Sequence, residues 1–248
     1  MIQRTLIFIP TYNEKDNVEK LISEIQALHI NNADLLFIDD NSTDGTGDIL
    51  DRIAKEQSKL YVVHRSGKLG VGSAHKDGIA YAYQKQYDIL ITMDADFTHS
   101  PSYITKLLER ADTHDIVVTS RYMEKDSLKD WNLFRKTVTW FGHSLTRYVL
   151  GLRYDASGAF RLYNLNNINR AVFVKILSNG YSFFFESLFI LNFNKYRIVE
   201  TPIILSARTY GNSKMKISDA FKSLEFLFTI FLKKVFQPHK FLIAKNGK

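Results

Sequence analysis

The stretch Ile89-Leu90-Ile91-Thr92-Met93-Asp94-Ala95-Asp96 sets an apolar run directly against two carboxylates one residue apart. A short run of this kind reads as a buried strand, so the acidic pair falls where the strand ends. Buried carboxylates are costly unless they are paired, hydrogen-bonded or bound to metal. Residues two apart in an extended segment point the same way, so Asp94 and Asp96 can converge on one divalent cation. A hard cation with few protein carboxylates suits a phosphate-bearing ligand that completes its coordination. The competing account is a strand followed by a capped turn, because Ser100-Pro101 has the chemistry of a helix start.

The chain on either side repeats the same unit. Buried strands are expected at Thr5–Ile9, stopped by Pro10, and at Leu35–Ile38, ending in Asp39-Asp40. Shorter ones are expected at 60–63 and 116–119. Between them, residues 16–28 carry Val18, Leu21, Ile22, Ile25 and Leu28 at helical spacing. Further helices are expected to about Gln57, from Ala74 to about Gln86 and from Pro101 to Arg110. Strand–helix alternation implies an α/β domain with a mainly parallel sheet. In such sheets ligands bind beyond the carboxyl ends of the strands. After Arg121 the pattern changes. Helical character is expected at 131–150, 163–176, 183–193 and 217–236, and a strand at 196–200. No internal repeat and no clear second core is visible, so the reading is a catalytic domain over 1–216 and a C-terminal amphipathic helix and tail over 217–248.

Composition narrows the chemistry. The 248 residues are 45% hydrophobic, enough for a full core. The absence of cysteine excludes disulfides, thiolate metal sites and thiol catalysis, and is compatible with the cytosol. A formal charge of +7 suits phosphorylated substrates, anionic lipid or nucleic acid. No nucleic-acid motif accompanies it, and the basic residues form no single stripe. No secretory signal is recognisable, and no stretch approaches the ~18 apolar residues of a spanning helix.

Three further constellations follow strand ends. Pro10-Thr11-Tyr12-Asn13-Glu14 and Asp39-Asp40-Asn41-Ser42-Thr43-Asp44-Gly45 join an aromatic that can stack on a nucleobase to carboxylates that can accept from base or ribose. Helix capping by Asn13 and Asp44 accounts equally well for part of this pattern. Arg65-Ser66-Gly67-Lys68-Leu69-Gly70-Val71-Gly72 is a glycine-rich loop before a helix, able to cradle phosphate. It lacks P-loop spacing, and a flexible turn explains it more simply. Arg121, Arg135, Arg208 and Lys214 are separated cations, and the polar loop from Arg208 to Lys214 can close over a diphosphate.

Taken together, these segments resemble glycosyltransferase family 2, and within it the polyprenyl-phosphate sugar transferases typified by dolichyl-phosphate mannosyltransferase. The likeness is carried by Ile9–Glu14, Asp39–Thr46, Lys68-Leu69-Gly70, Met93–Asp96 and Thr119–Tyr122. Later come Ser157–Tyr163, Gly180–Phe183 with Glu186, and Arg208–Lys214. The resemblance implies a Rossmann-like GT-A fold. It implies that Asp94 and Asp96 hold Mg²⁺ or Mn²⁺ on a nucleotide diphosphate, with Ala95 between them. Pro10, Tyr12, Glu14, Asp39, Asp40 and Lys68 would bind the nucleotide-sugar. Arg121 and Arg135 would bind an acceptor phosphate, and Arg208 and Lys214 would close over the diphosphate. One departure is Thr98, beside His99, where the family often carries Gln or Ser; a Gln there would help hold the metal.

The activity so implied is inverting transfer of a hexose, from a GDP-mannose or UDP-glucose type of donor, to a dolichyl or undecaprenyl phosphate. A phosphate acceptor is already anionic and needs no strong base. A saccharide hydroxyl acceptor, the nearest alternative, would need one, and Asp155 is the candidate. An inactive basic binding module is the alternative from another class. A lipid acceptor also suits Phe221, Leu224, Phe228, Phe231 and Val235 with Lys222, Lys233 and Lys234 as an interfacial helix, unless that stripe is core packing. Trp131, Trp140 and Tyr148 with Arg135, Lys136 and Arg147 form a second such set. The expected location is the cytoplasm, peripheral to the cytoplasmic face of a membrane, reached directly or through a membrane partner protein.

Overall fold

The computed structural model describes residues 3–129, 131, 133–206 and 217–243. Seven strands form one sheet in the order β3-β2-β1-β4-β6-β5-β7. They are β1 (Thr5–Thr11), β2 (Ala33–Asp39), β3 (Leu60–His64), β4 (Ile89–Thr92), β5 (Ile116–Ser120), β6 (Arg161–Asn164) and β7 (Ile198–Pro202). All run parallel except β6, which lies antiparallel between β4 and β5. The carboxyl ends of β1, β2, β4 and β5 therefore share one edge, and the polar segments after them gather there. Helices α1 (Lys15–Gln26), α2 (Thr46–Glu56), α3 (Val71–Gln84) and α4 (Tyr103–Leu108) alternate with the strands as expected.

Alternation along the strands divides the core in two. Ile7, Ile9, Leu35, Phe37, Ile89 and Ile91 pack on one face with Val18, Leu21, Ile22 and Ile25 of α1. Leu6, Phe8, Leu36, Ile38 and Leu90 pack on the other with α3 and with α7 (Ser182–Phe193). The core is thus two clusters, one on each face of the one sheet. At Gly78 on α3 an added Cβ would lie 2.8 Å from the Phe8 ring, so this helix rests on the sheet only because a side chain is missing.

The helix expected at 163–176 is a correction. Its first residues form β6, and only Ala171–Val174, α6, is helical. Four residues hydrogen-bonded on both sides gain ladder partners that a local helix would forgo, so tertiary pairing overrides periodicity. Helix α5 (Leu133–Leu145) runs into a π-helical turn, Thr146–Leu150, and stops at Gly151 with φ 78°.

Helix α8 (Ile217–Phe236) buries Leu227 and Ile230 in the same cluster as α7. Those two residues were not in the stripe read from sequence. Phe221 (70% exposed), Phe228 and Val235 of that stripe face outward instead. The helix is docked by one face and leaves a second apolar face uncovered.

One polar group sits inside this core. His75 of α3 is fully buried among the rings of Phe8, Phe183 and Phe184, and neither ring nitrogen has a hydrogen-bond partner. Burial first, then the charge of Arg161, push it down to about 3. The folded protein therefore keeps His75 neutral where the unfolded chain, with a pKa near ~6.5, takes up a proton. Stability falls as pH drops below that unfolded value. Between pH 6.5 and 5 the loss should be about 1.5 kcal/mol. Urea midpoints at the two pH values check this, with His75→Leu expected to flatten the dependence.

Candidate active site

The acidic motif lies just past β4, which ends at Thr92. Met93 to Asp96 are not strand, so the extended geometry expected to align the two carboxylates is absent. The backbone bends, and Phe97 takes φ 58°. Asp94 is 34% exposed, with Oδ2 3.8 Å from Nδ1 of buried His99. Asp96 is buried and turned inward, where Oδ1 accepts from the Thr98 amide at 3.1 Å and from the Thr98 hydroxyl. Thr98 thus braces Asp96, a role its sequence position did not suggest. Among the described residues no three His, Asp or Glu side chains form a metal cage. Two carboxylates, that of Asp94 partly exposed, nevertheless match the donor set of a hard cation that shares substrate phosphate oxygens.

The loops after β1 and β2 are stitched together. The Asn13 amide donates to Ser42 Oγ at 2.8 Å, and its side-chain oxygen accepts from the Thr43 amide at 2.9 Å. Asp44 accepts from the Thr46 amide and hydroxyl and from the Lys15 amide. Burial opposes its charge, but these bonds outweigh burial and hold its carboxyl below the usual range. The capping account of Asn13 and Asp44 is a correction: Glu14 and Gly45 hold the N-cap positions of α1 and α2, neither with a side-chain cap bond, and Asn13 and Asp44 tie the two loops to each other instead. Pro10, Tyr12 and Glu14 stand half-buried on this edge. Lys68 covers Tyr12, with Nζ 4.1 Å from the ring centroid.

Asp39 and Asp40 are more occupied than their sequence reading allowed. Asp39 Oδ1 accepts from Ser42 Oγ at 2.5 Å and Thr11 Oγ1 at 3.2 Å, and Oδ2 accepts from the Ser42 amide at 2.9 Å. Asp40 lies 3.2 Å from Nη1 of buried Arg65, whose Nη2 donates to Ser73 at 2.7 Å. Burial pushes the Asp40 carboxyl up, against the pull of Arg65 and of the Gly70 and Leu69 amides. The glycine-rich loop is spent in the same way. Its amides serve Asp40, while the Ser73 amide donates to the Asn179 carbonyl. A Cβ on Gly70, at φ 100°, would meet that carbonyl at 2.5 Å, and one on Gly72 would meet the Gly180 carbonyl at 2.6 Å. These glycines admit a neighbouring backbone, which is a correction to the phosphate-cradle reading.

Arg121 follows β5 with its side chain 11% exposed. Its Nε donates to Asp155 Oδ2 at 2.7 Å, and its amide donates to the same oxygen at 3.2 Å. Asp155 is fully buried. Burial raises its carboxyl, but Arg121 and the Ser157 amide pull it below the ordinary range. Its own amide donates to Glu200 on β7 at 2.7 Å. Burial opposes the charge of Arg121, while Asp155 and, least, Asp94 raise its guanidinium. Arg135 lies on α5, with its side chain outside the described part. Arg208 and Lys214 also fall outside the described residues.

Sequence reasoning passed over His143, Glu200, the pairing of Arg65 with Asp40 and the bracing role of Thr98. Arg65 follows the end of β3 and had the same signal as the acidic pairs. Glu200 and His143 had none, since their partners are distant in sequence.

Comparison with known proteins shows the family. The family model "Glycosyl transferase family 2" matches residues 6–171. The chain belongs to glycosyl transferase family 2. An undecaprenyl-phosphate mannosyltransferase of Micrococcus luteus is 35% identical over 86% of this chain and 87% of its own length. A polyprenol monophosphomannose synthase of Mycolicibacterium smegmatis is 31% identical over 88% of this chain and 83% of its own. Among solved structures, glucosyl-3-phosphoglycerate synthase of Mycobacterium tuberculosis, in complex with Mn²⁺, UDP and phosphoglyceric acid, shares the fold. Its TM-score is 0.64 at 19% identity, over 99% of this chain and 81% of that one.

Proposed function

We propose that this glycosyltransferase moves a hexose from a nucleotide-sugar to a polyprenyl phosphate, with inversion at the anomeric carbon. The Arg121–Asp155 pair is the observation that carries this reading. A saccharide hydroxyl acceptor would need a base, and Asp155 was its candidate. A carboxylate buried, ion-paired and held below its ordinary range is a poor base. Arg121, held to Asp155 through Nε, keeps its other guanidinium nitrogens for an anion, which is what bringing a second phosphate to a diphosphate requires. The names of both relatives favour mannose and a polyprenyl acceptor.

In this reading Pro10, Tyr12, Glu14, Asp39, Asp40 and Lys68 shape the nucleotide side, with Lys68 also adding charge. Asp94 and Asp96, across Ala95, would hold Mg²⁺ or Mn²⁺. When bound, such an ion supplies charge stabilisation to the departing diphosphate. Arg121 and Arg135 receive the acceptor phosphate, and Arg208 and Lys214 belong to the closing loop. The acceptor oxygen attacks without prior deprotonation, so proton transfer makes no demand on the site. The test is a screen of GDP- and UDP-sugars with a polyprenyl phosphate, with and without divalent metal, read as lipid-linked sugar. Mannosyl lipid lost on chelation is expected; transfer to saccharide hydroxyls alone would overturn the reading.

A lipid acceptor also requires the membrane surface. No helix among the described residues is long and apolar enough to cross one. Trp140 (64% exposed), Phe141 and Tyr148 (81%) stand out around α5, and Phe221, Phe228 and Leu232 stand out on α8. Helix α8 packs against the π turn that ends α5, where Lys234 Nζ donates to the Leu150 carbonyl at 3.0 Å. An apolar surface with cations nearby suits peripheral binding at the cytoplasmic face. The protein should bind anionic liposomes, less so at high salt. Because α8 is partly core, point changes are the better probe. Trp140→Ser with Phe221→Ser should release the protein from liposomes, read by flotation, while transfer to a water-soluble phosphate persists. If the native protein ignores liposomes at low salt, a membrane partner protein must recruit it.

A further inference from the structure

The residue after Arg121 is tied to α5 in two places. The Tyr122 ring stacks on His143, with centroids 4.0 Å apart and planes 27° from parallel. Its hydroxyl donates to the Thr139 carbonyl at 3.1 Å. Residues 139 and 143 are successive turns of one helix face, so one side chain spans them. Arg121, immediately before, is fixed through both its amide and its Nε to Asp155. The dipeptide 121–122 is thus a junction. One side grips the buried carboxylate of Asp155, a residue whose own backbone amide donates to Glu200. The other grips a helix whose outer face exposes Leu133, Val138, Trp140 and Phe141.

We propose that the Tyr122–His143 stack is a positioning device that sets Arg121 for the acceptor phosphate and transmits to it the seating of α5. The proposal rests on the reading that Arg121 meets that phosphate. It goes beyond that reading by giving His143 a function at a distance from the reacting atoms. Generic packing would be satisfied by any apolar residue at 143. A flat ring stacked on Tyr122 restrains the phenol in two directions, and so restrains the backbone that Arg121 shares with it. The groups around His143 explain why the imidazole is neutral there. Burial, then Arg147 on the π turn and Arg121 after β5, push it down, and Asp155 opposes them. A neutral ring stacks on Tyr122 without adding a third cation beside Arg121.

The test compares His143→Ala, His143→Leu and His143→Phe in the full chain. KM is measured separately for polyprenyl phosphate and for nucleotide-sugar. Loss of the stack in His143→Ala and His143→Leu should raise acceptor KM about threefold to tenfold, the range an aromatic pair supports. Donor KM should not move, and His143→Phe, which restores a ring, should return acceptor KM to within about twofold of native. His143→Leu fills most of the volume, so it keeps the test open if the alanine variant folds poorly. Unchanged acceptor KM in His143→Leu, equal rises for both substrates, or failure of His143→Phe to rescue would each overturn the proposal. Arg121→Lys, run in parallel, separates the two layers. If it leaves acceptor KM unchanged, the acceptor reading itself fails; if it raises acceptor KM while His143→Leu does not, only the positioning role fails.

Discussion

Asp96→Ala is expected to reduce sugar transfer by roughly a thousandfold or more, the scale of several kcal/mol of lost transition-state stabilisation. Asp96 is the inward member of the acidic pair, braced by Thr98. A carboxylate held this firmly is oriented before any ligand arrives, which is the condition under which an electrostatic contact contributes most. Removing it also frees the Thr98 amide and hydroxyl, so Asp96→Asn serves as a companion that keeps an acceptor oxygen but not the charge. Both variants should keep a native circular dichroism spectrum, and both should lose activity at saturating nucleotide-sugar. Full activity in either purified variant would remove Asp96 from the site.

Arg121→Ala should carry the largest stability cost of the site changes. It leaves Asp155, 1% exposed, without its cation, and breaking a buried pair from one side costs about 3–5 kcal/mol. Arg121→Lys keeps a charge near Asp155 but loses the planar fork, so it should spare much of the stability while still weakening acceptor use. The double change Arg121→Ala with Asp155→Asn removes both charges. It should recover stability toward native without recovering acceptor binding. Denaturant midpoints and acceptor KM, measured on the same three proteins, test the two halves separately. If Arg121→Ala is as stable as native, the pair is not buried in solution as described. Arg135→Ala is expected to raise acceptor KM as well, with nucleotide-sugar KM unchanged.

The site edge was legible because each polar segment follows a short apolar run, and a parallel α/β sheet brings the carboxyl ends of its strands together. Thr5–Thr11, Ala33–Asp39, Ile89–Thr92 and Ile116–Ser120 obey that rule, and the segments after them carry most of the candidate site. Local pattern sufficed there because burial on both faces leaves no other solution for such runs. The family, too, was readable from motif order, and the comparisons bear it out.

What each of those residues does with its side chain was decided only by the tertiary fold. Whether Asp39 faces a ligand or Ser42, whether Gly70 opens a phosphate nest or makes room for Asn179, and whether Asp155 is a base or the partner of Arg121 depend on contacts between distant segments. No local periodicity encodes them. The same holds for β6, whose last two residues fall in a stretch read as helical until β4 and β5 flank them, and for α8, whose two apolar faces compete in the sequence. There the fold selects Leu227 and Ile230 for the core and leaves Phe221 and Phe228 outside, because a docked helix can bury only one of its faces against the rest of the chain.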